Sequence, residues 1–267
     1  MAESLEALLR RDRLIVAGGI ALLSLIAWAW LLVGAGMGMS AIDMTRMVYG
    51  GHSAMTPDVP MDASWDVAYW LVMFFMWWVM MAAMMLPSAA PTILLAAAIN
   101  RKANPDFVPF GETSRFTLGY LLAWGGFSLG ATTAQWTLEQ TELLSSMTLT
   151  TTRRWLGGGL LLATAAWQFS PLKQACLRHC RSPIHFFVAR RGSEAFLTGL
   201  EHGAWCLGCC GFLMSLLFVG GVMNLLWIAG LAIFVLVEKL LPQGRGIGYL
   251  MGAALAACGL LLLAGLP

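Results

Sequence analysis

The sequence predicts an all-α polytopic transmembrane helical bundle of about seven helices, with its N-terminus inside. Three observations predict it. Hydrophobic residues make up 59% and charged residues only 11% of the 267 positions, against about 45–50% and 25% in soluble domains. Apolar stretches near the length a hydrocarbon core requires, about 20 helical residues, recur along the chain. The basic residues gather on one side of those stretches. Charge this sparse argues against a soluble enzyme, a disordered chain or a nucleic-acid binder. The net charge of +2 is too small to recruit a partner electrostatically.

The candidate spans are 14–33, 67–86, 116–136, 154–170, 196–218, 222–238 and 247–266. Helices are expected because backbone polar groups in lipid must pair within their own segment. The first span follows the leader MAESLEALLRRDR. Its acidic residues and the long apolar run distinguish it from a signal peptide, so it reads as an uncleaved anchor. The second span meets Pro87 and Pro91, which are expected to kink or end it. The fifth and sixth are separated by the shortest turn, at Gly220 and Gly221. With the N-terminus inside, thirteen of the 16 Lys and Arg lie on the cytoplasmic side, which satisfies the positive-inside rule. The chain reads as one integral membrane domain, 1–267. Two connecting segments stand out: an outer one at 34–64 and a cytoplasmic one at 171–195.

Sulfur is abundant and unevenly placed. Twelve of the 17 Met lie between Met37 and Met85, and five of the six Cys between Cys176 and Cys210. The outer segment GMGMSAIDMTRMVYGGHSAMTPDVPMDASW carries Met44, Met47, His52 and Met55 as candidate capture ligands. Thioethers are soft donors that suit Cu(I), and they survive oxidising conditions in which thiols are lost as disulfides. On the second span Met73, Met76, Met80 and Met84 fall within about 80° of one another at 100° per residue, with Met81 and Met85 beside them. This row reads as a metal path or as core packing, since Met fills irregular interiors well.

The cytoplasmic segment SPLKQACLRHCRSPIHFF places Cys176 and Cys180 on one helix face. Lys173, Arg178 and Arg181 surround them and are expected to favour the thiolate. In the fifth span, GLEHGAWCLGCCGFLM, His202, Cys206 and Cys209 fall within about 60° of helix surface, with Cys210 alongside. Three Cys and a His suit copper, with zinc as the alternative. One straight helix cannot complete a tetrahedron. The remaining ligands would come from another helix, a second subunit, or Cys176 and Cys180. Glu201, an ionisable group within a span, reads as a proton or charge-carrying residue. Glu238 and Lys239 read as a local pair, Asn224 as a polar contact near Gly220 and Gly221, and the Trp residues mainly as interface belts. The fragments GAGMG and GRGIG follow no strand and are not nucleotide loops.

These segments resemble a group of bacterial inner-membrane proteins, the predicted metal-binding integral membrane proteins. AMMLPSAAP at 83–91, GYLLAW at 119–124, PLKQACLRHCRSP at 171–183 and the run from CLGCCGFLM through VMNLLW to VEKL at 206–240 carry the resemblance. It implies metal binding in the bacterial inner membrane, with Met84, Met85, Cys176, Cys180, Cys206, Cys209 and Cys210 as matching candidates. Gly211 departs from the aromatic residue expected after the double Cys. The leading expectation is a Cu(I)-binding membrane protein that transports the ion or delivers it to a periplasmic cuproprotein or chaperone, alone or as a homo-oligomer. The alternatives are a membrane metallo-oxidoreductase or thiol redox enzyme, in which Cys176 or Cys180 pairs with the 206–210 group, and a metal-free assembly scaffold.

Overall fold

A computed structural model describes residues 2–50, 65–103, 109–146, 148–181 and 194–266. Those residues are helical, with an isolated bridge between Leu144 and Thr151 and no strand among them. The helices are α1 (Ala2–Leu32), α2 (Ala41–Gly50), α3 (Val67–Ala103), α4 (Pro109–Gln140), α5 (Arg154–Phe169), α6 (Pro171–Arg181), α7 (Ala195–Ser215), α8 (Leu217–Gly220), α9 (Leu225–Leu240) and α10 (Gly244–Leu263). Each of the seven apolar stretches is mainly helical, the fifth being interrupted at Leu216 and the sixth becoming helical at Leu225. Among the described residues, four helical segments are long and apolar enough to cross a membrane: Arg10–Leu32, Val67–Arg101, Ala195–Gly220 and Gly244–Leu263.

Local chemistry explains several boundaries. The glycine-rich segment after α1 is a turn: Gly34 and Gly36 take positive φ, and the Gly34 and Ala35 amides donate back to the Leu31 and Trp30 carbonyls. Ser40 then caps α2, accepting from the Asp43 amide at 3.2 Å while its hydroxyl donates to the Asp43 carboxylate at 2.6 Å, the first of these being the usual N-cap bond. Asn224 caps α9 by accepting from the Leu226 and Trp227 amides, and its side-chain amide donates to the Gly220 carbonyl and to Tyr49 of α2. Pro87 and Pro91 do not end α3, which continues to Ala103.

The core forms where α4 packs along α7, α5 along α10, and α1 along α3. Small residues permit the first contact. A methyl group at Gly199 would lie 2.9 Å from the Phe116 Cα, and one at Gly203 would lie 2.5 Å from the Ala123 Cβ. Close backbone approach of this kind is the usual source of helix–helix attraction where lipid removes the hydrophobic drive. Gly199→Leu is therefore expected to separate α4 from α7 and to lower thermal stability by about 1–3 kcal/mol of overpacking. An unchanged melting temperature would show that the contact is not tight.

Tryptophan does more than line an interface. Trp28 Nε1 donates to the Ala83 carbonyl at 3.2 Å, Trp78 Nε1 to the Leu121 carbonyl at 2.8 Å, and Trp167 Nε1 to the Gly208 carbonyl at 3.0 Å. These indoles are half-buried, and neighbouring helices supply each N–H with an acceptor. Near the start of α1 and the end of α3, Asp12 and Arg101 form a buried pair at 2.5 Å, so those two ends lie on the same side of the bundle.

Candidate metal centre

The α4–α7 contact turns one face of α7 inward. His202, Cys206, Cys209 and Cys210 are all buried on it, as the spacing predicts. Helix α6 lies against the same helix and brings in a thiol from outside it. The sulfur atoms of Cys180, Cys206 and Cys209 all lie within 4.8 Å of one another. The additional thiol beside the α7 cluster therefore comes from α6, one of the sources the sequence left open.

The sulfur cluster continues inward. Cys210 Sγ lies 3.9 Å from Cys206 Sγ and 3.9 Å from the thioether sulfur of Met85 on α3. In the other direction Cys180 Sγ lies 3.8 Å from Cys209 Sγ. A continuous chain of sulfur thus runs from Met85 through Cys210 and Cys206 to the half-buried Cys180. Cys176 is half-buried beside Gly208, where an added methyl would lie 2.6 Å from its sulfur.

Cys206 lies at the centre of a polar arrangement that sequence reasoning missed. Lys239 Nζ donates to its sulfur at 3.0 Å and to Ser88 Oγ at 3.1 Å. The Tyr120 hydroxyl lies 3.2 Å from the same sulfur. Lys239, Ser88 and Tyr120 are buried, and they converge from α9, α3 and α4. An ammonium placed there needs an anionic or polar partner, and the Cys206 sulfur and the Ser88 hydroxyl are in reach. The expected Glu238–Lys239 pair is absent because successive helix residues point about 100° apart. Glu238 instead pairs with Lys173 of α6. The signal was nevertheless present, since Ser88, Tyr120 and Lys239 all lie in the segments that carried the resemblance.

The basic residues of α6 do not activate its thiols. Lys173 is directed to Glu238 and Gln168, Arg181 to the carbonyls of Leu241 and Pro242, and Arg178 is exposed. Burial pushes the Cys176 thiol above its ordinary range. The cation that faces the sulfur cluster is Lys239, 59 to 63 residues further along the chain.

The other predicted residues are placed as follows. Met73, Met76, Met80, Met81, Met84 and Met85 are all buried. At the far end of that row Gln135 Nε2 donates to the Met73 sulfur at 3.6 Å and to Glu139 at 2.9 Å. His202 is buried one turn before Cys206, with its ring 5.8 Å from Tyr120 and 5.9 Å from Phe116. Glu201 is half-buried on the adjacent face. Met44 and Met47 are half-buried on α2. His52 and Met55 lie outside the described residues. His179 stacks on Trp205 at 4.1 Å.

Clustered thiols continued by a thioether are soft donors, which suits Cu(I) better than a hard ion. A family model described as PpoB2, copper chaperone, matches residues 74–262. The chain belongs to that family. The matched range covers the Met row from Met76 onward, the thiols of α6 and α7, and Lys239. Membership in a copper chaperone family agrees with the metal-binding character that the resemblance implied, and its cargo accords with the donor set. No curated protein and no solved structure matches the chain.

Proposed function

We propose that the protein is an integral membrane copper chaperone that binds Cu(I) in the sulfur cluster and passes it to a cuproprotein. The chain of sulfur from Met85 to Cys180 carries this reading. Its steps, each within 4.8 Å, allow an ion to gain one ligand before it leaves another. Cys206, Cys209 and Cys180 form the tight site. The buried Met73, Met76, Met80 and Met84 provide weaker, exchangeable contacts toward the opposite end. The segment 34–64, with Met44, Met47, His52 and Met55, collects the ion outside. Lys239 supplies a positive charge against the thiolates.

The same reading places the chain in the bacterial cytoplasmic membrane with seven spans and its N-terminus inside. The Asp12–Arg101 pair supports this topology, since it joins the start of the first span to the end of the second on the side where basic residues gather. The 16-residue α5 and α9 are about 24 Å long at 1.5 Å per residue. They cross with help from flanking residues or local thinning of the bilayer.

The test is anaerobic purification, Cu(I) loading and elemental analysis for Cu, Zn and Fe. Retained copper that resists a moderate chelator is expected, and no soft metal above background would end the proposal. Zinc retained in preference would change the cargo. One observation favours a second reading: the Cys180–Cys209 separation of 3.8 Å suits a thiol pair. As a redox enzyme the pair would close to a disulfide, giving two electrons and two protons to a quinone or an oxidised partner. Loss of both free thiols on quinone addition, with no copper retained, would select that reading.

A further inference from the structure

The copper reading depends on Cys180, the one sulfur of the three-membered group that α7 does not carry. Helix α6, with 11 residues, is too short to be stable alone, so its position needs an external cause. Besides its packing against α7, two polar contacts fasten its ends. In its first turn the fully buried Lys173 pairs with Glu238 and also donates to Gln168 Oε1. In its last turn Arg181 donates to the Leu241 carbonyl and, at 2.9 Å, to the Pro242 carbonyl. Both contacts land on the end of α9 and the turn that follows.

The surroundings are fitted to the first contact. Gly248 of α10 faces the pair, and a methyl there would strike the Glu238 carboxylate and lie 3.7 Å from Lys173 Nζ. A buried ion pair is a poor source of stability, because desolvation offsets much of its attraction. It does impose a fixed distance and direction. The last turn of α9 thus holds α6 through Glu238 and faces the thiols through Lys239.

We infer that Lys173 and Glu238 are positioning residues of the metal site, whose ion pair sets the placement of α6 that holds Cys180 against Cys209. The inference rests on the copper reading for its functional meaning, and it makes a separate claim about the metal-free protein. When the pair is broken, α6 shifts and the cluster loses one sulfur while the two on α7 stay in place.

The test uses the full-length protein. In the metal-free state the alkylation rates of individual cysteines are compared between wild type and Glu238→Gln. Cys180 is expected to react about tenfold faster in the variant, as local opening made easier by about 1.4 kcal/mol would give, with Cys206 and Cys209 unchanged. After Cu(I) loading, X-ray absorption is expected to show one sulfur fewer around copper in Glu238→Gln, as in Cys180→Ser, with no further loss in the double variant. Lys173→Met repeats the test should Glu238→Gln fail to fold. Unchanged Cys180 reactivity, or equal acceleration at Cys206 and Cys209, would overturn the inference. So would a further loss of affinity when Glu238→Gln is added to Cys180→Ser. Wild type that binds no copper would end the copper reading, and the alkylation pattern would still decide whether the pair positions Cys180.

Discussion

Cys206→Ser is expected to reduce Cu(I) affinity by at least about 100-fold, equivalent to about 2.8 kcal/mol, with the helical fold retained. Cys206 is the thiol on which most site contacts converge: it belongs to the group with Cys180 and Cys209, lies 3.9 Å from Cys210, and receives Lys239 at 3.0 Å. Its loss removes a ligand and interrupts the sulfur chain between Cys210 and the α6 side. Serine is the informative replacement because its hydroxyl still accepts from Lys239 while offering copper a hard donor that it prefers less. Alanine would leave the buried ammonium its contact to Ser88 but without the one at position 206, and a buried charged group short of a hydrogen bond costs about 1–3 kcal/mol. Cys206→Ala should therefore lose thermal stability as well as copper. Competition against a chromophoric Cu(I) chelator measures the first effect, and thermal melting followed by circular dichroism separates the two variants. Wild-type affinity in Cys206→Ser would remove this residue from the site. Cys258→Ser, a change at an exposed thiol on α10, is the control expected to alter neither quantity.

Lys239→Met should weaken Cu(I) binding by about 10–100-fold, the usual range for residues that support a metal ligand. Cu(I) held by two thiolates carries a net negative charge. In a low-dielectric interior an adjacent ammonium offsets that charge far more effectively than it would in water. Met has similar length and no charge, so it fills the space without compensating. The metal-free protein should behave differently. In Lys239→Met the Cys206 sulfur can be a neutral thiol, which leaves no buried charge without a partner, so the melting temperature is expected to hold. Affinity falling while stability holds is a pattern that general damage to the fold does not produce. Unchanged affinity would show that Lys239 serves packing alone.

Residues that repeat along one helix are legible in the sequence itself. Cys206, Cys209 and Cys210 share the face that helical spacing predicts, and the Met residues of α3 form the buried row expected of them. Contacts between helices are less legible. The sequence leaves open what joins the thiols of α7, and α6 brings Cys180 to them. It places the activating cations on α6 beside the thiols, whereas Lys173 and Arg181 hold the helix in place and Lys239 faces the sulfur. It pairs Glu238 with Lys239 because they are neighbours in the chain, although neighbours on a helix point in different directions.

By itself the sequence determined that this is an all-helical protein with membrane-length apolar segments, a thioether half and a thiol half. Those properties follow from composition and from the 3.6-residue period, which are local. Only the tertiary structure decided that Met85, Cys210, Cys206, Cys209 and Cys180 join into one chain of sulfur and that Lys239 and Tyr120 close on Cys206. Those contacts depend on how closely α4, α6 and α9 approach their neighbours. The glycines at 199, 203 and 208 set that approach by leaving out a side chain, and what an absent side chain admits is decided by the helix packed against it.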